Sequence, residues 1–446
     1  MKMISICCAT LMSVMSIATP TYAQQTVNSV LITNANVFNG ENEKLAVGMS
    51  VLIEGNKISK IAKSISAPTN TTVINANGKV LMPGLIDAHW HTMFNFSPVS
   101  NTLGSNFGYL NVAASKASGD TLMRGFTTVR DVGGNSFGVK RAIDEGLVHG
   151  PRIYPSGAYI SQTAGHGDFR GPNDVPANLG DSLDYQQRVG ETLIADGVPE
   201  VIKRTREVLR MGASQIKAMG GGGVTSLYDP LDVTEYTFEE AKAIVDVAKS
   251  FNTYVAVHIN TKDAIKMWIK AGAKSMEHGF FIDDETAKLM AKNGVWWSMQ
   301  PMATEGPTAL KFENPISTAK YNALVKELDK AIASTKKYKV KTAFGTDILF
   351  DPELGKKHGT FLASLQKWYT PFEALKMATH DNGELLKLSG ARDPYPGELG
   401  VIKEGALADM LLVDGNPLEN LNLVADPEKN FVMIMKDGKI VKNVIK

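Results

Sequence analysis

Two histidines flank a tryptophan in the stretch GLIDAHWHTM, which follows an apolar run that predicts a β-strand. Side chains two positions apart on a strand project to the same side, so His89 and His91 can bind one metal ion from a single strand. Trp90 between them is then expected to point the other way, into packing. Paired histidines are also common as ordinary hydrogen-bonded residues, so this motif needs support from the rest of the chain.

Three further candidate ligands lie near the ends of apolar, strand-like segments. TYVAVHI carries His258 near its end, KSMEHG carries His278, and TAFGTD ends with Asp347. Each alone has an ordinary explanation, as a core or surface histidine or as an aspartate that caps the next helix. Their joint placement at matching strand ends predicts one shared site. Imidazole and carboxylate without thiolate suit zinc best, with manganese or cobalt as alternatives.

Lys217 is an unusual member of this group. We expect it at the end of the apolar, strand-like segment SQIKAMG, which leads into a run of glycines. An ordinary lysine would hold its ammonium group in solvent. An ammonium group beside divalent cations would be repelled, so a lysine at a metal site must lose its charge. Reaction with carbon dioxide would turn it into an anionic carbamate that can bridge two ions.

The segments that must position these residues alternate between helical and strand-like patterns. TFEEAKAIVDVAKSF begins with Thr237 and Glu240 at the spacing of a capping box and keeps Ile244 and Ala248 on one face. About eight such strands alternate with helices over roughly 300 residues, which predicts an α/β protein with a (β/α)8 TIM-like barrel and its reactive groups at the strand C-termini. A doubly wound open sheet is the alternative. Against it, the glycines at 220–223 lack the GxGxxG spacing of a dinucleotide site.

The two ends of the chain have a different pattern, of short alternating strands separated by glycine-containing turns, with Asp-Gly hairpin turns predicted at Asp414 and Asp437. We therefore predict a small β-sandwich built from residues 24–82 and 393–446, around a barrel of residues 83–392. The segment 167–200 is long, polar and rich in glycine and proline. It could form a lid over the barrel mouth or a simple loop.

The charge balance argues against a polyanionic partner. Lysines and arginines number 47 against 46 acidic residues, so the sequence predicts no nucleic acid or anionic membrane surface as a partner, and favours a small molecule. Residues 1–23 have the lysine, apolar stretch and small-residue end of a secretory signal peptide. We expect a secreted or periplasmic protein without a membrane anchor after processing. Cys7 and Cys8 both lie in this leader, so the remaining chain has no disulfide.

Taken together, these motifs resemble the amidohydrolase superfamily. The similarity covers nearly all of the chain after the leader, in PGLIDAHWH, GFTTVRDVGG, QIKAMGGGGVTS, VAVHI, SMEHG, FGTD and the tail GVIKEGALADMLLVDGNPLEN. The sequence is most similar to the secreted Xaa-Pro dipeptidase and carboxypeptidase-like branch, near the imidazolonepropionases, which includes ochratoxin-hydrolysing amidases. This resemblance also implies a homo-oligomer, with an octamer as one candidate.

The resemblance implies a binuclear metal centre and two substrate contacts. His166, in TAGHGD, would contact the substrate carbonyl or carboxylate, and Tyr228, in SLYDP, would be a second contact. The alternative for both is an ordinary surface residue in a loop. One metal ion would be bound by His89, His91 and Asp347, and a second ion by His258 and His278. A carbamate formed on Lys217 would bridge the two ions.

These features predict a hydrolase that cleaves the amide bond to a C-terminal amino acid, in a dipeptide, an N-acyl amino acid or an ochratoxin-type N-acyl phenylalanine. Asp347 is expected to act as the acid/base group and His166 to help polarise the carbonyl. One alternative is a hydrolase of cyclic amides, lactones or aryl esters. Another is a non-catalytic periplasmic metal-binding homologue, against which the joint presence of Lys217 and Asp347 argues.

Overall fold

The computed structural model describes residues 29–445, except for 172, 175–181 and 227. The predicted signal peptide lies outside the described residues, as does part of the segment 167–200. The strands, numbered in chain order, are β1 Ser29–Val37, β2 Ala46–Glu54, β3 Lys57–Ala62, β4 Thr71–Asn75, β5 Val80–Pro83, β6 Leu85–Trp90, β7 Phe126–Asp131, β8 Arg152–Pro155, β9 Tyr159–Ser161, β10 Thr192–Ile194, β11 Ile216–Met219, β12 Val255–Ile259, β13 Ser275–His278, β14 Trp296–Met299, β15 Thr342–Phe344, β16 Met410–Val413, β17 Phe431–Lys436 and β18 Lys439–Asn443.

The α-helices lie mostly between the strands of the middle part of the chain. They are α1 Val99–Gly104, α2 Phe107–Met123, α3 Phe137–Asp144, α4 Tyr185–Val189, α5 Val198–Arg210, α6 Phe238–Ser250, α7 Lys262–Ala271, α8 Asp284–Lys292, α9 Pro315–Lys337, α10 Pro352–Gly355, α11 His358–Ser364, α12 Pro371–Lys376, α13 Asn382–Leu386 and α14 Pro427–Asn430.

The start of α6 confirms the predicted capping box. The Thr237 side chain accepts a hydrogen bond from the Glu240 backbone N–H, and the Glu240 carboxylate accepts one of 2.8 Å from the Thr237 N–H. These two bonds satisfy amide groups that have no partner within the helix. Ile244 and Ala248 face the core, as their spacing predicts. The capped start and the buried face thus fix α6 in the segment that precedes β12.

Two parallel sheets carry the alternating part of the chain. One has the order β6-β7-β8 and the other the order β10-β9-β11-β12-β13-β14-β15. Backbone hydrogen bonds link them on both sides, from Asp347 N to His89 O at 2.9 Å and from Ser214 N to Pro155 O at 2.8 Å. Parallel strands alternating with helices confirm the predicted α/β class, and they bring the strand C-termini to one edge.

Both ends of the chain contribute to a separate sheet, with the order β18-β17-β16-β5-β1-β2-β3 and β4 beside β1. The predicted Asp437-Gly438 turn connects β17 to β18. Asp414, in contrast, follows β16 without forming a hairpin, because a longer segment with α14 precedes β17. The hydrogen-bonded order is that of one eight-stranded sheet, so the two layers of a sandwich stay a prediction.

A buried arginine connects the two parts of the molecule. Arg152 of β8 donates to Asp409 at 2.9 Å and to Asp437 at 2.6 Å, both in the terminal part of the chain. These charge-assisted bonds fix the terminal sheet against the parallel strands. In the part of the chain that the structure describes, no helix has the length and apolar character needed to span a bilayer.

Candidate metal centre

Five of the six predicted ligands, from four different strands, converge at one edge of the parallel sheets. His89 lies within β6, His91 directly follows it, and Asp347 lies three residues beyond β15. One potential ligand atom from each of these three residues lies within 4.8 Å of the other two. Asp347 Oδ1 is 3.1 Å from His91 Nε2 and 3.4 Å from His89 Nε2. These three side chains therefore have a donor set and a spacing that fit a metal ion.

Trp90 points away from this cluster, as its alternation with the two histidines predicts. Its ring stacks on that of His358, with 4.4 Å between the ring centroids. The strand itself differs from the prediction, because β6 ends at Trp90 and its pairing with β7 is irregular after Asp87. His91 thus reaches the cluster from the first residue after the strand.

His278 and His258 extend the cluster. The His278 ring centroid lies 4.7 Å from that of His89 and 4.4 Å from that of His258. Its Nδ1 is 3.8 Å from Asp347 Oδ2. His278 is the last residue of β13 and His258 the last but one of β12. The imidazole rings of His278 and His258 therefore lie beside the first three candidate ligands.

The outer contacts of these rings determine which nitrogen is available to a metal. His89 Nδ1 lies 2.8 Å from Glu277 Oε2, and His278 Nδ1 lies 2.9 Å from Gln300 Oε1. These oxygens only accept hydrogen bonds, so each Nδ1 carries the proton and each Nε2 keeps its lone pair. His258 Nε2 faces the Gly222 carbonyl oxygen at 3.3 Å, which leaves its Nδ1 free. This pattern fits neutral imidazole ligands.

Burial favours the same protonation state. It lowers the pKa of His89 and of His258 well below the usual value and lowers the pKa of His278 to about 4. Asp347 shows the opposite balance, since burial would raise its pKa but the contacts with His89 and His91 bring it below the usual range. At neutral pH, His89, His258 and His278 are therefore uncharged and Asp347 is ionised, which are the forms that bind metal.

Lys217 lies deeper than the sequence suggested. It is the second residue of the four-residue strand β11, not its end, and its side chain is 1% exposed. Burial lowers its pKa to about 8, against the opposing effect of the carboxylates of Glu277 and Asp347. A substantial fraction of its amine is thus neutral near that pH, which is the state that a metal site requires of a lysine.

Two of the candidate ligands have a left-handed backbone conformation. His278 has a φ of 71° and Asp347 has a φ of 53°. Residues other than glycine rarely occupy this backbone region. The Asp347 N–H donates to His89 O at 2.9 Å, which holds the residue in this conformation. Such strain persists where the surrounding structure imposes it and is concentrated at functional sites.

His166 reaches the same cluster from a loop after β9. Its ring stacks on that of His258, with 4.0 Å between centroids. Its Nδ1 lies 2.8 Å from Asp229 Oδ2 and 2.6 Å from Ser226 Oγ. Gly223 belongs to the run of glycines at 220–223, and a Cβ at this position would lie 2.0 Å from His166 Cε1. Only glycine therefore leaves space for the His166 ring, which explains this glycine without a dinucleotide-binding role.

Tyr228 lies beside Asp229, and its side chain is 50% exposed. It belongs to the loop that holds His166, but half of its surface faces solvent. Its assignment as a substrate contact stays a prediction. The metal-ligand roles of the clustered side chains are likewise predictions, which their spacing and protonation support.

Sequence reasoning missed a buried ion pair behind the cluster. Arg130 of β7 donates to both carboxylate oxygens of Glu277, at 2.7 and 2.8 Å, and both side chains are 0% exposed. The signal was present, because a glutamate within the apolar segment SMEHG is rarely buried without a partner. The position of its partner, on a strand far away in the sequence, is what could not be seen.

A second missed group orders the end of β6. Asp87 Oδ1 accepts from the His89 N–H at 2.8 Å, and Asp87 Oδ2 accepts from Thr346 Oγ1 at 2.6 Å and from His358 Nε2 at 2.8 Å. One carboxylate therefore joins the backbone of a candidate ligand to the residue before Asp347. It links the two strand ends that build the first half of the cluster.

Comparisons with known proteins agree with this geometry. The model of the amidohydrolase family matches residues 80–444. Ochratoxinase from Aspergillus niger is 34% identical over 375 residues, which cover 81% of this chain and 76% of that protein. Among solved structures, a prolidase in complex with N-methylphosphonate-L-proline has a TM-score of 0.84 at 32% identity, and covers 93% of this chain and 100% of its own. A Xaa-Pro dipeptidase with methionine bound in its active site has a TM-score of 0.79 at 28% identity, with the same coverage.

Proposed function

This chain belongs to the amidohydrolase family, and on that basis we propose that it is a binuclear-metal hydrolase of the amide bond to a C-terminal amino acid. The observation that carries the proposal is the convergence of His89, His91 and Asp347, with ligand atoms within 4.8 Å of one another. The names of the relatives, ochratoxinase, prolidase and Xaa-Pro dipeptidase, point to dipeptides, N-acyl amino acids or ochratoxin-type N-acyl phenylalanines as substrates.

The proposed centre holds two divalent ions, with zinc as the best fit to the ligand chemistry. The free nitrogens of the imidazole rings and the ionised carboxylate support this assignment. The ligands would be His89, His91, His258, His278, Asp347 and a carbamate formed on Lys217.

We further propose that the two parallel sheets form one closed (β/α)8 barrel and that the terminal sheet is a small β-sandwich. The hydrogen bonds that link the sheets on both sides, Asp347 N to His89 O and Ser214 N to Pro155 O, support a closed barrel. In such a barrel the ligand-bearing strand ends form the floor of the substrate site.

When bound, the two ions would supply Lewis acidity and a water molecule of lowered pKa. Asp347, which is ionised at neutral pH, would accept a proton from the attacking water and pass it to the leaving amine nitrogen. The Asp229 carboxylate lies 2.8 Å from His166 Nδ1 and orients the ring. We propose that the opposite edge of this ring contacts the substrate carbonyl or carboxylate oxygen.

The test is the release of free amino acid from a panel of N-acyl amino acids and Xaa-Pro dipeptides by protein loaded with zinc in bicarbonate. We expect Lys217→Ala to lower this activity by roughly a hundredfold or more. The matched control is Lys330→Ala, because Lys330 lies on α9 with 73% of its side chain exposed. Cyclic amides, lactones and aryl esters are assayed in parallel. Full activity in Lys217→Ala, or hydrolysis of the parallel set alone, would overturn the proposal.

A further inference from the structure

A lysine from helix α9 closes the loop that holds His166. Lys320 Nζ donates to three backbone carbonyl oxygens, those of Gly223 at 2.9 Å, Ser226 at 2.9 Å and Asp229 at 2.8 Å. An ammonium group has three N–H donors, and these acceptors use all of them. The side chain is 11% exposed, so its charge lies within the loop and not in solvent.

The residues that Lys320 binds also position His166. Asp229 Oδ2 accepts from the Gly223 N–H at 2.7 Å and from His166 Nδ1 at 2.8 Å. Ser226 Oγ is 2.6 Å from the same Nδ1. The direction of the imidazole ring therefore depends on the positions of Gly223, Ser226 and Asp229.

We propose that Lys320 is a positioning residue, which orients His166 toward the substrate by holding Gly223, Ser226 and Asp229 together. The part of this inference that concerns substrate rests on the proposed function. The part that concerns the loop rests on the three hydrogen bonds alone.

Removal of the ammonium group would leave unfavourable electrostatics behind. Three carbonyl oxygens that converge on one point repel one another unless a cation lies between them. Asp229 Oδ1 is buried without a hydrogen-bond partner among the described residues, and Lys320 Nζ is 3.7 Å from it. Without Lys320 the loop is therefore expected to open and the Asp229 carboxylate to turn toward water.

The start of the loop is held independently of Lys320. Gly222 O accepts from Asn260 Nδ2 at 3.0 Å and faces His258 Nε2 at 3.3 Å. Loss of Lys320 should therefore disturb His166 and leave the histidines of the metal centre in place. If Lys320 only stabilised the fold, its loss would disturb His166 and the metal-centre histidines together.

The chain offers a clean chemical rescue. Cys7 and Cys8 both lie within the predicted signal peptide, and residues 24–446 contain no cysteine. Lys320→Cys therefore introduces a single thiol into that part of the chain, and bromoethylamine converts it into a thioether analogue of lysine. The sulfur attacks the carbon that carries bromine, bromide leaves, and the thiol proton goes to solvent. Arginine would not replace the lysine, because its planar guanidinium group cannot direct three donors to one tripod of oxygens.

The experiment compares wild-type protein, Lys320→Cys and Lys330→Cys, each before and after aminoethylation. Three quantities are measured: kcat and KM for an N-acyl amino acid, zinc per chain, and hydrogen exchange of peptides from the loop between β11 and α6. We expect Lys320→Cys to lower kcat/KM by roughly tenfold to a hundredfold, to speed exchange in this loop and to keep its zinc. Aminoethylation should reverse both changes, and Lys330→Cys should show neither.

Unchanged loop exchange in Lys320→Cys would overturn the proposal, as would faster exchange with unchanged kcat and KM. Loss of zinc together with activity, without rescue by aminoethylation, would overturn it too, because that result assigns Lys320 a general structural role. If the wild-type protein cleaves none of the amides, the proposed function fails. The exchange comparison then still decides whether Lys320 holds the loop.

Discussion

Glu277 Oε2 accepts a hydrogen bond of 2.8 Å from His89 Nδ1 while Glu277 Oε1 accepts one of 2.8 Å from Arg130. One buried carboxylate thus orients a candidate ligand and balances a buried cation. Burial alone would raise its pKa, but the Arg130 guanidinium and the His89 contact hold the pKa of Glu277 well below its usual value. The group is therefore ionised across the neutral range, and His89 keeps Nε2 free for a metal ion.

Glu277→Gln should weaken metal binding and the fold together. The amide can rotate, so it no longer fixes the proton on His89 Nδ1, and Arg130 loses its buried counter-charge. We expect zinc affinity to fall roughly 10- to 100-fold and the free energy of unfolding of the metal-free protein to fall by about 3–5 kcal/mol. Competition with a chelator and urea unfolding measure the two effects. Glu285→Gln is the control, since Glu285 is 77% exposed; an unaltered zinc affinity in Glu277→Gln would refute this role.

Gly223→Ala should affect the substrate side of the centre and leave the metal side intact. The new Cβ would lie 2.0 Å from His166 Cε1, and the ring cannot retreat far because it stacks on His258. We expect kcat/KM to fall by roughly tenfold or more with zinc per chain unchanged. Gly104→Ala is the matched control, because nothing lies within 4 Å of a Cβ at Gly104. Equal kinetics in the two variants would show that His166 tolerates the displacement.

The convergence of the candidate ligands could be predicted because parallel strands end at a common edge. That rule needs the strand pattern alone, so His258, His278 and Asp347 could be grouped without knowledge of any tertiary contact. The rule does not predict how far a residue lies from the end of its strand. Lys217 is an example, because the sequence of a short strand does not show at which residue the strand begins and ends. The rule also fails for backbone conformation, because nothing local to His278 or Asp347 indicates a positive φ.

The supporting contacts could not be predicted, for a different reason. His358 bonds to Asp87 across 271 positions of the chain, and Lys320 bonds to Gly223 across 97. Neither KKHGTF nor the helix around Lys320 differs in pattern from an ordinary surface segment. Such pairs are fixed by how the helices pack on the strands, which periodicity does not encode.

Bicarbonate should control metal loading through Lys217. Its pKa of about 8, lowered by burial, makes a neutral amine accessible, whose lone pair attacks carbon dioxide with release of one proton. We expect metal-free protein loaded with zinc in bicarbonate-free buffer at pH 8 to bind less zinc and to hydrolyse amides more slowly than protein loaded with bicarbonate. Lys217→Gln should not respond to bicarbonate. Zinc per chain and initial rates test this, and an equal response of both proteins would argue against a carbamate.

His358 is packed in a way that opposes its protonation. Its ring lies between those of Phe126 and Trp90, with centroid distances of 3.4 and 4.4 Å. Burial lowers its pKa to about 4, although the hydrogen bond from its Nε2 to Asp87 acts in the opposite direction. In the unfolded chain a histidine has a pKa of about 6.5. The folded protein therefore resists a proton that the unfolded chain accepts.

This difference predicts how stability depends on pH. Between pH 6.5 and 4 the unfolded chain binds more protons, so the contribution of His358 is fully present above pH 6.5 and is lost as the pH falls toward 4. The full loss is on the order of 3 kcal/mol. We expect His358→Gln, in metal-free protein, to reduce the slope of unfolding free energy against pH in this window by up to about one proton. His149→Gln is the control, because His149 is exposed. Urea unfolding at several pH values measures the slopes, and a slope in His358→Gln equal to that of wild type would mean that other groups control acid sensitivity.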